Sequence, residues 1–199
     1  MIWLCTAVPQ REPYVDYLRR HIPDLRTIYD RGAGPWTSWM HAWTTEPDEA
    51  RVILQDDLCL RVGAAQTIER TISEHPESVI QFFDRYIEQP PEPGISVQRP
   101  KTWGGHLCYY LPPGLGKHIG AAAVRWRMDR AWRGFDDDVV RRYLQIHKLT
   151  YLAVSPSVVQ HQPGPSVLGL RPPDRLARRF DSPELDGYPS PNSMLRFIS

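Results

Sequence analysis

The stretch Val52-Ile53-Leu54-Gln55-Asp56-Asp57 joins an apolar run to two adjacent carboxylates. Such a run is typical of a buried β-strand, and open α/β sheets bind their ligands outside the carboxyl ends of the strands. Adjacent acids repel each other, so a site that presents both needs a cation, and oxygen ligands suit Mg²⁺ or Mn²⁺. The structural alternative is that Asp56 and Asp57 cap a helix beginning near Leu58, because Asp is a favoured capping residue. Both interpretations are open on this stretch alone.

Strand and helix patterns alternate on both sides of this stretch. Period and turn residues predict strands at 2–8, 25–30, 52–55, 79–83, 108–111 and 151–154, and helices at 13–21, 36–43, 63–75, 115–130 and 139–147. This alternation predicts an α/β fold in a single domain, with a Rossmann-type, mostly parallel sheet flanked by helices. The Pro-rich stretch from Gln89 to Gly105 is predicted to be an irregular loop that borders the site.

The composition narrows the class of protein. Lys and Arg total 24 against 23 for Asp and Glu, so the net charge of +1 gives no overall field that attracts nucleic acid or membrane. Cys5, Cys59 and Cys108 are odd in number and far apart, which is typical of reduced core residues in a cytosolic protein. No apolar stretch reaches the roughly 18 residues that span a bilayer. We expect a cytoplasmic protein without a membrane partner, and its oligomeric state stays open.

Two further motifs follow the paired acids along the chain. Phe135-Asp136-Asp137-Asp138 opens a predicted helix, and Pro156-Ser157-Val158-Val159-Gln160-His161 ends in a histidine. Together with Gln55-Asp56-Asp57, and in this order, they resemble the motifs of nucleotide-sugar glycosyltransferases of the GT-A fold, including inverting N-acetylglucosaminyltransferases. The resemblance covers residues 1–170, predicted to be a GT-A-like catalytic domain, and leaves 171–199 as a Pro-rich tail. The chain departs from the family pattern at Gln55, where an Asp-any-Asp motif has its first acid.

The resemblance implies a metal-dependent glycosyltransferase that uses a nucleotide diphosphate sugar, with a UDP-sugar as the expected donor. Asp57 and His161 are then expected to hold Mn²⁺ or Mg²⁺, and a mixed oxygen and nitrogen ligand set favours Mn²⁺. Asp56 is expected to bind the metal through water or to accept the donor's ribose hydroxyl. The remaining donor contacts are expected from the loops after the first two strands, at Thr6, Ala7, Val8, Arg11 and Asp30.

The resemblance also implies a carboxylate base that takes the proton of the attacking acceptor hydroxyl, which leads to inversion at the anomeric carbon. Asp137 is the first choice, and Asp138 and Asp136 are the alternatives. An acid at a helix N-terminus is also favourable without any function, so one of the three is expected to cap the helix.

The acceptor is less well defined. Trp103, Gly104 and Gly105 are expected to form an acceptor-side wall, because glycines allow close approach and Trp stacks on sugars or bases; a core Trp beside a turn is the alternative. Arginines interleave with tryptophans between Arg125 and Arg133, a pattern that suits phosphate contact and base stacking; a solvated helix face is the alternative. Small glycosyltransferases of this kind also occur in phages that decorate hydroxymethylated bases, so DNA with a modified base is one acceptor that we consider.

Two other classes compete with this prediction. A non-catalytic domain that binds nucleotides or nucleic acid would use the acids as caps and would show no metal dependence. A metal-dependent nucleotidyltransferase would use paired acids but would react at phosphorus and leave no glycoside.

Overall fold

The computed structural model of the protein describes residues 1–83, 93–128, 138–161, 180–181 and 183–189. The strands are β1 Ile2–Ala7, β2 Leu25–Tyr29, β3 Arg51–Gln55, β4 Leu58–Leu60, β5 Ile80–Gln81, β6 Gly94–Gln98, β7 Cys108–Leu111, β8 Tyr151–Ser155 and β9 Val159–His161. The helices are α1 Glu12–His21, α2 Pro35–Thr44, α3 Ala64–Glu74, α4 Leu115–Met128 and α5 Asp138–Ile146.

Seven of the described strands form one sheet, in the order β2-β1-β3-β7-β5-β8-β6, and β4 pairs with β9 in a separate small sheet. β1 is parallel to β2 and β3, and β5 is parallel to β8, whereas β7 and β6 pair antiparallel with their neighbours. The chain therefore forms a mostly parallel sheet flanked by helices. The predicted α/β class is confirmed.

Each face of the sheet is covered by helices because the strand side chains alternate between two apolar layers. In β3, Val52 and Leu54 face the layer that contains residues of α1, α3 and β4, while Ile53 faces the layer built from α2, α4 and α5. Burial on both faces explains why this strand is apolar at every position. The helices α1 and α3 therefore lie opposite α2, α4 and α5.

Arg51, at the start of β3, holds the end of α2 in place. Its guanidinium is fully buried and donates to five carbonyl oxygens at the end of α2 and in the turn that follows, those of Ala42, Trp43, Thr45, Glu46 and Glu49. α4 approaches this point through Gly116, where a Cβ atom would lie 2.4 Å from the Trp43 carbonyl oxygen and 2.9 Å from Arg51 Nε. The α2–α4 packing therefore requires a residue without a side chain.

Three short strands differ from the expectations from sequence. The alternative in which a helix begins near Leu58 is wrong, because Leu58–Leu60 is a strand. Gly94–Gln98, inside the predicted irregular loop, forms the edge strand of the large sheet, and Val159–His161 forms the partner of β4. These strands are short or lack an alternating pattern, so their pairing depends on tertiary contacts rather than on local sequence.

Part of the predicted tail packs against the domain. The Tyr188 ring lies edge-on to the rings of Tyr14 and Tyr17, at centroid distances of 5.7 and 4.9 Å. The Glu184 amide donates to the Leu60 carbonyl oxygen at 2.7 Å. Described residues of the 183–189 segment therefore contact both α1 and β4. Among the helices that the structure describes, none has the length and apolar character needed to cross a membrane.

Candidate functional site

The candidate site lies where the parallel strands β1, β2 and β3 end side by side. Because these strands are adjacent and run in the same direction, the loops that follow them leave the sheet at one edge. The loop after β1 carries Arg11, the loop after β2 begins at Asp30, and β3 is followed by Asp56 and Asp57. The strand order therefore brings together residues that are far apart in sequence.

Asp56 is held by the loop after β1. Its carboxylate accepts a hydrogen bond from the Val8 amide at 2.9 Å and another from Arg11 Nη1 at 2.7 Å. Asp56 is only 5% exposed. Burial raises the pKa of Asp56 to about 6, although Arg11 opposes this shift, and the neighbouring charge of Asp57 adds to it. Asp56 is thus a buried acid whose ionised form depends on Arg11.

Arg11 lies between the two acids. The same Nη1 atom that contacts Asp56 lies 3.3 Å from Asp57 Oδ2, and all three side chains are almost fully buried. One guanidinium thus offsets part of the charge of two adjacent carboxylates. From sequence, Arg11 is expected among the donor contacts, and its pairing with the acids was not predicted.

His161 reaches Asp57 through the small sheet. β4 and β9 pair antiparallel with Leu58 opposite His161, so Asp57, the residue before Leu58, comes beside the imidazole. Asp57 Oδ1 lies 3.6 Å from His161 Nδ1. The Phe83 ring packs edge-on to the imidazole at a centroid distance of 5.8 Å. The two residues that are expected from sequence to hold a metal are therefore neighbours.

The Asp57–His161 pair has suitable geometry for a divalent cation. Octahedral ligands at about 2.1 Å from a metal lie about 3.0 Å from each other, and the observed separation of 3.6 Å needs only a small closure. Within the described ranges, no group of three or more His, Cys, Asp or Glu residues could hold a metal. Two protein ligands nevertheless suffice where substrate phosphates and water complete the shell, as is common for Mg²⁺. A cation bound together with a diphosphate therefore fits these residues.

Tyr17 supports β4 from the side opposite β9. Its buried hydroxyl accepts from the Leu60 amide at 2.9 Å and donates to the Glu184 carbonyl oxygen at 2.9 Å. It thereby bridges β4 and the 183–189 segment. Because β4 carries the backbone that follows Asp57, this hydroxyl contributes to the position of the site. This role was not predicted from sequence, since the spacing of Tyr17 predicts only a buried helix face.

The expected donor-binding residues lie at this edge, with several of their polar groups engaged within the protein. Thr6 and Ala7 are the last two residues of β1 rather than loop residues, whereas Val8 and Asp30 follow β1 and β2. The Thr6 and Ala7 carbonyl oxygens accept from the amides of Asp56 and Asp30, at 3.1 and 2.7 Å. The Asp30 carboxylate accepts from the amides of Gly32 and Gly34, each at 2.9 Å. Together with the Val8 contact to Asp56, these bonds fix the shape of both loops. Their contact with a donor stays a prediction.

The expected acceptor-side wall is not formed by the Trp103 ring. Trp103 is 3% exposed and packs edge-on to Tyr109 and Tyr151, at 5.6 and 5.0 Å between centroids. The Gly104 amide donates a hydrogen bond to the side chain of the buried Gln81, and the Gly105 carbonyl oxygen accepts one from it. The core alternative is therefore correct for Trp103, because its indole fills the apolar layer of the α2, α4 and α5 face.

Of the three candidate general bases, the structure describes Asp138. Asp136 and Asp137 lie outside the described residues. Asp138 is the first residue of α5 and forms an ion pair with Arg141 one turn later. This placement suits an acid at a helix N-terminus.

Comparison with known proteins finds similarity among solved structures but not among sequences. No family model matches the sequence, and no curated protein matches it. Among solved structures, the crystal structure of A197 from STIV is similar, with 16% sequence identity and a TM-score of 0.47 over 91% of this chain and 95% of that chain. Function is therefore inferred from the geometry of the site.

Proposed function

We propose that this protein is a metal-dependent, inverting glycosyltransferase that moves a sugar from a nucleotide diphosphate sugar to a hydroxyl acceptor. The observation that supports this most directly is the pairing of Asp57 Oδ1 with His161 Nδ1 at 3.6 Å, at the carboxyl edge of the parallel strands. This is the edge at which open α/β sheets bind ligands. The expected location is the cytoplasm, which would be that of the host if a phage encodes the protein.

Asp57 and His161 would hold Mn²⁺ or Mg²⁺, with the remaining ligands supplied by the donor and water. A bound cation supplies Lewis-acid stabilisation of the charge that the leaving nucleotide diphosphate acquires. Arg11 stands on the other side of Asp57 and leaves Oδ1 of this carboxylate directed to His161. Asp56 and the Val8 amide fix Arg11 and its loop in this arrangement.

A carboxylate near the start of α5 would take the proton from the acceptor hydroxyl as it attacks the anomeric carbon. Asp137 remains the first choice, because Asp138 is already engaged with Arg141. Asp136 is the other alternative. A single displacement of this kind inverts the anomeric configuration. The acceptor that we propose to test first is DNA with a hydroxymethylated base, and the donor that we propose to test first is a UDP-sugar.

The test measures release of nucleotide from a panel of nucleotide sugars, with Mn²⁺ or with EDTA, and with hydroxymethylated DNA as acceptor. Wild type is compared with Asp57→Asn and His161→Gln. Asp24→Asn is the matched control, because Asp24 is an exposed acid in the loop between α1 and β2, at the opposite edge of the sheet. We expect Mn²⁺-dependent release of nucleoside diphosphate by wild type and the control, a loss in Asp57→Asn, and a clear reduction in His161→Gln.

A second candidate function is a non-catalytic nucleotide-binding domain. The observation that favours it is Arg11, whose guanidinium already compensates the acid pair without a metal. This candidate predicts nucleotide binding that is equal in Mn²⁺ and in EDTA, with no turnover. Release of nucleoside monophosphate or pyrophosphate would instead identify chemistry at phosphorus, as in a nucleotidyltransferase, and would refute sugar transfer.

A further inference from the structure

The helices α2, α4 and α5 cover one face of the sheet. Each of them has one end at the edge of the sheet where Asp57 lies. α2 begins at Pro35, shortly after the carboxyl end of β2. α4 starts beside Trp43 and Arg51 at the opposite edge, as the contacts of Gly116 show, and runs back toward the start of α2. The Arg127 guanidinium at its end lies over the Trp36 ring, 4.8 Å from the centroid. α5 also begins at the Asp57 edge, because the chain runs from the end of α5 into the start of β8, which lies at the opposite edge.

Arginines and tryptophans alternate on this surface. The Arg142 guanidinium of α5 lies 5.1 Å from the centroid of the Trp126 ring of α4, which repeats the Arg127–Trp36 arrangement. Arg125 and Arg127 are exposed, and the tryptophans are half-buried. We call this the arginine–tryptophan surface, and it consists of Trp36, Arg125, Trp126, Arg127 and Arg142.

The charge of these helices is positive. The segment Leu115–Met128 has no Asp or Glu, and both of its arginines, Arg125 and Arg127, lie in its last turn. The segment Pro35–Thr44 has no acid either. Among the described residues of the three helices, the one carboxylate is that of Asp138, which is paired with Arg141. A chain with a net charge of only +1 thus concentrates cationic groups on this surface.

We propose that the arginine–tryptophan surface binds a single strand of nucleic acid. Exposed arginines contact phosphates without reading sequence. A guanidinium plane supported by an indole offers a stacking surface for an unpaired base. Unpaired bases expose their faces only in a single strand, whereas an acidic peptide or an anionic membrane would use the charge and leave the planar groups without a partner. The alternation of planar and cationic groups therefore favours nucleic acid.

This surface lies at the edge of the sheet that carries the candidate site, so a strand bound there is the acceptor class for the transfer. In that respect the inference rests on the proposed function. Binding of the strand itself needs neither metal nor donor. A modified base in a single strand is also accessible to chemistry, whereas a base inside a duplex has to leave the stack first.

The test is the binding of fluorescently labelled oligothymidylate of about 12 nucleotides, measured by anisotropy in EDTA at several salt concentrations. The probes of equal length are oligouridylate, an abasic strand and a duplex, and polyglutamate serves as competitor. Arg125→Gln/Arg127→Gln removes two cationic groups, and Arg127→Lys/Arg142→Lys keeps the charge but removes the planar groups. Arg70→Gln, on the exposed side of α3 on the opposite face, is the matched control.

We expect oligothymidylate to bind more tightly than the abasic strand and the duplex. The double Gln variant should lower the slope of log affinity against log salt by about 1.4, since each phosphate contact in a single strand contributes about 0.7. The double Lys variant should keep this slope and lose affinity for oligothymidylate by about fivefold or more. Arg70→Gln should behave as wild type. Equal binding of oligouridylate would support a surface that accepts either type of strand.

Several results would overturn the proposal. Equal affinity for the abasic strand, tighter binding of the duplex, or full displacement by polyglutamate at equal charge would each do so. An equal effect of Arg70→Gln and the double Gln variant would also overturn it. Strand binding that persists in a protein without any sugar transfer would refute the proposed function alone, so the two failures can be told apart.

Discussion

Replacing Asp56 by Asn is expected to change how the stability of the protein depends on pH. Burial raises the pKa of Asp56 to about 6 in the folded protein, whereas an Asp in an unfolded chain has a pKa of about 3.9. Because the folded value is the higher one, the folded state binds more protons between these two values. The stability contributed by Asp56 is therefore fully present below about pH 4 and is lost as the pH rises through about 6.

The size of this effect follows from the two pKa values. A difference of about 2 pKa units at 1.36 kcal/mol each corresponds to about 3 kcal/mol. Asn carries no charge at any pH, so the stability of Asp56→Asn relative to wild type should rise by about 3 kcal/mol between about pH 4 and about pH 7. For a domain of this length, that corresponds to about 6–12 °C in Tm.

The effect of Asp56 is measured as a difference between wild type and Asp56→Asn, because His106 changes the pH dependence of stability in the opposite direction. Burial lowers the pKa of His106 to about 3, compared with about 6.5 in an unfolded chain. The unfolded state then binds the extra proton, so this residue makes stability rise with pH over the same interval. The two slopes largely cancel in wild type. The difference between wild type and Asp56→Asn contains only the contribution of Asp56, because His106 is present in both proteins and its contribution cancels.

The assay is urea denaturation of both proteins at several pH values from about 4 to about 7.5. Glu69→Gln is the control, because Glu69 is an exposed acid on α3. Its difference from wild type should stay nearly constant. If the difference between Asp56→Asn and wild type is also constant, or falls as the pH rises, then Asp56 does not carry a raised pKa and the reasoning is refuted.

Three further substitutions test the α2–α4 packing and the support of β4. Arg51→Met leaves five carbonyl oxygens without their donor and should lower the free energy of unfolding by about 3–5 kcal/mol in urea denaturation. Gly116→Ala places a Cβ atom 2.4 Å from a backbone oxygen and should cost about 1–3 kcal/mol, measured as a fall in Tm. Tyr17→Phe leaves the Leu60 amide and the Glu184 carbonyl without their shared hydroxyl and should cost about 1–3 kcal/mol and weaken Mn²⁺-dependent nucleotide binding. Wild-type stability in any of these variants would contradict the corresponding contact, and unchanged nucleotide binding in Tyr17→Phe would show that β4 does not depend on this hydroxyl.

The larger elements of the fold could be predicted from sequence because their patterns are local. The run from Val52 to Leu54 is apolar on both faces, which is what a strand covered on both sides requires. The strand Leu58–Leu60 could not be predicted in this way. It has three residues, and its hydrogen-bonding partners are β9, Tyr17 and Glu184, none of which is close in sequence.

The candidate site was predictable in its residue types but not in its pairings. The acid pair was evident because two carboxylates follow an apolar strand. The Arg11 contact depends on β1 lying next to β3, and the His161 contact depends on β9 pairing with β4. Neither neighbour relation follows from local sequence. Trp103 shows the converse, since a Trp beside two glycines suits a ligand wall or a core turn equally well until its burial is known.

The arrangement of Arg11 suggests that the two acids have different roles. Two buried carboxylates next to each other would strongly destabilise the fold without a cation. Arg11 provides that cation within the chain, and it contacts Asp56 more closely than Asp57, at 2.7 against 3.3 Å. Asp56 is therefore satisfied by Arg11 and Val8, whereas Asp57 keeps one oxygen facing His161. Substitution of Asp56 should consequently be seen first in stability, and substitution of Asp57 first in metal-dependent binding.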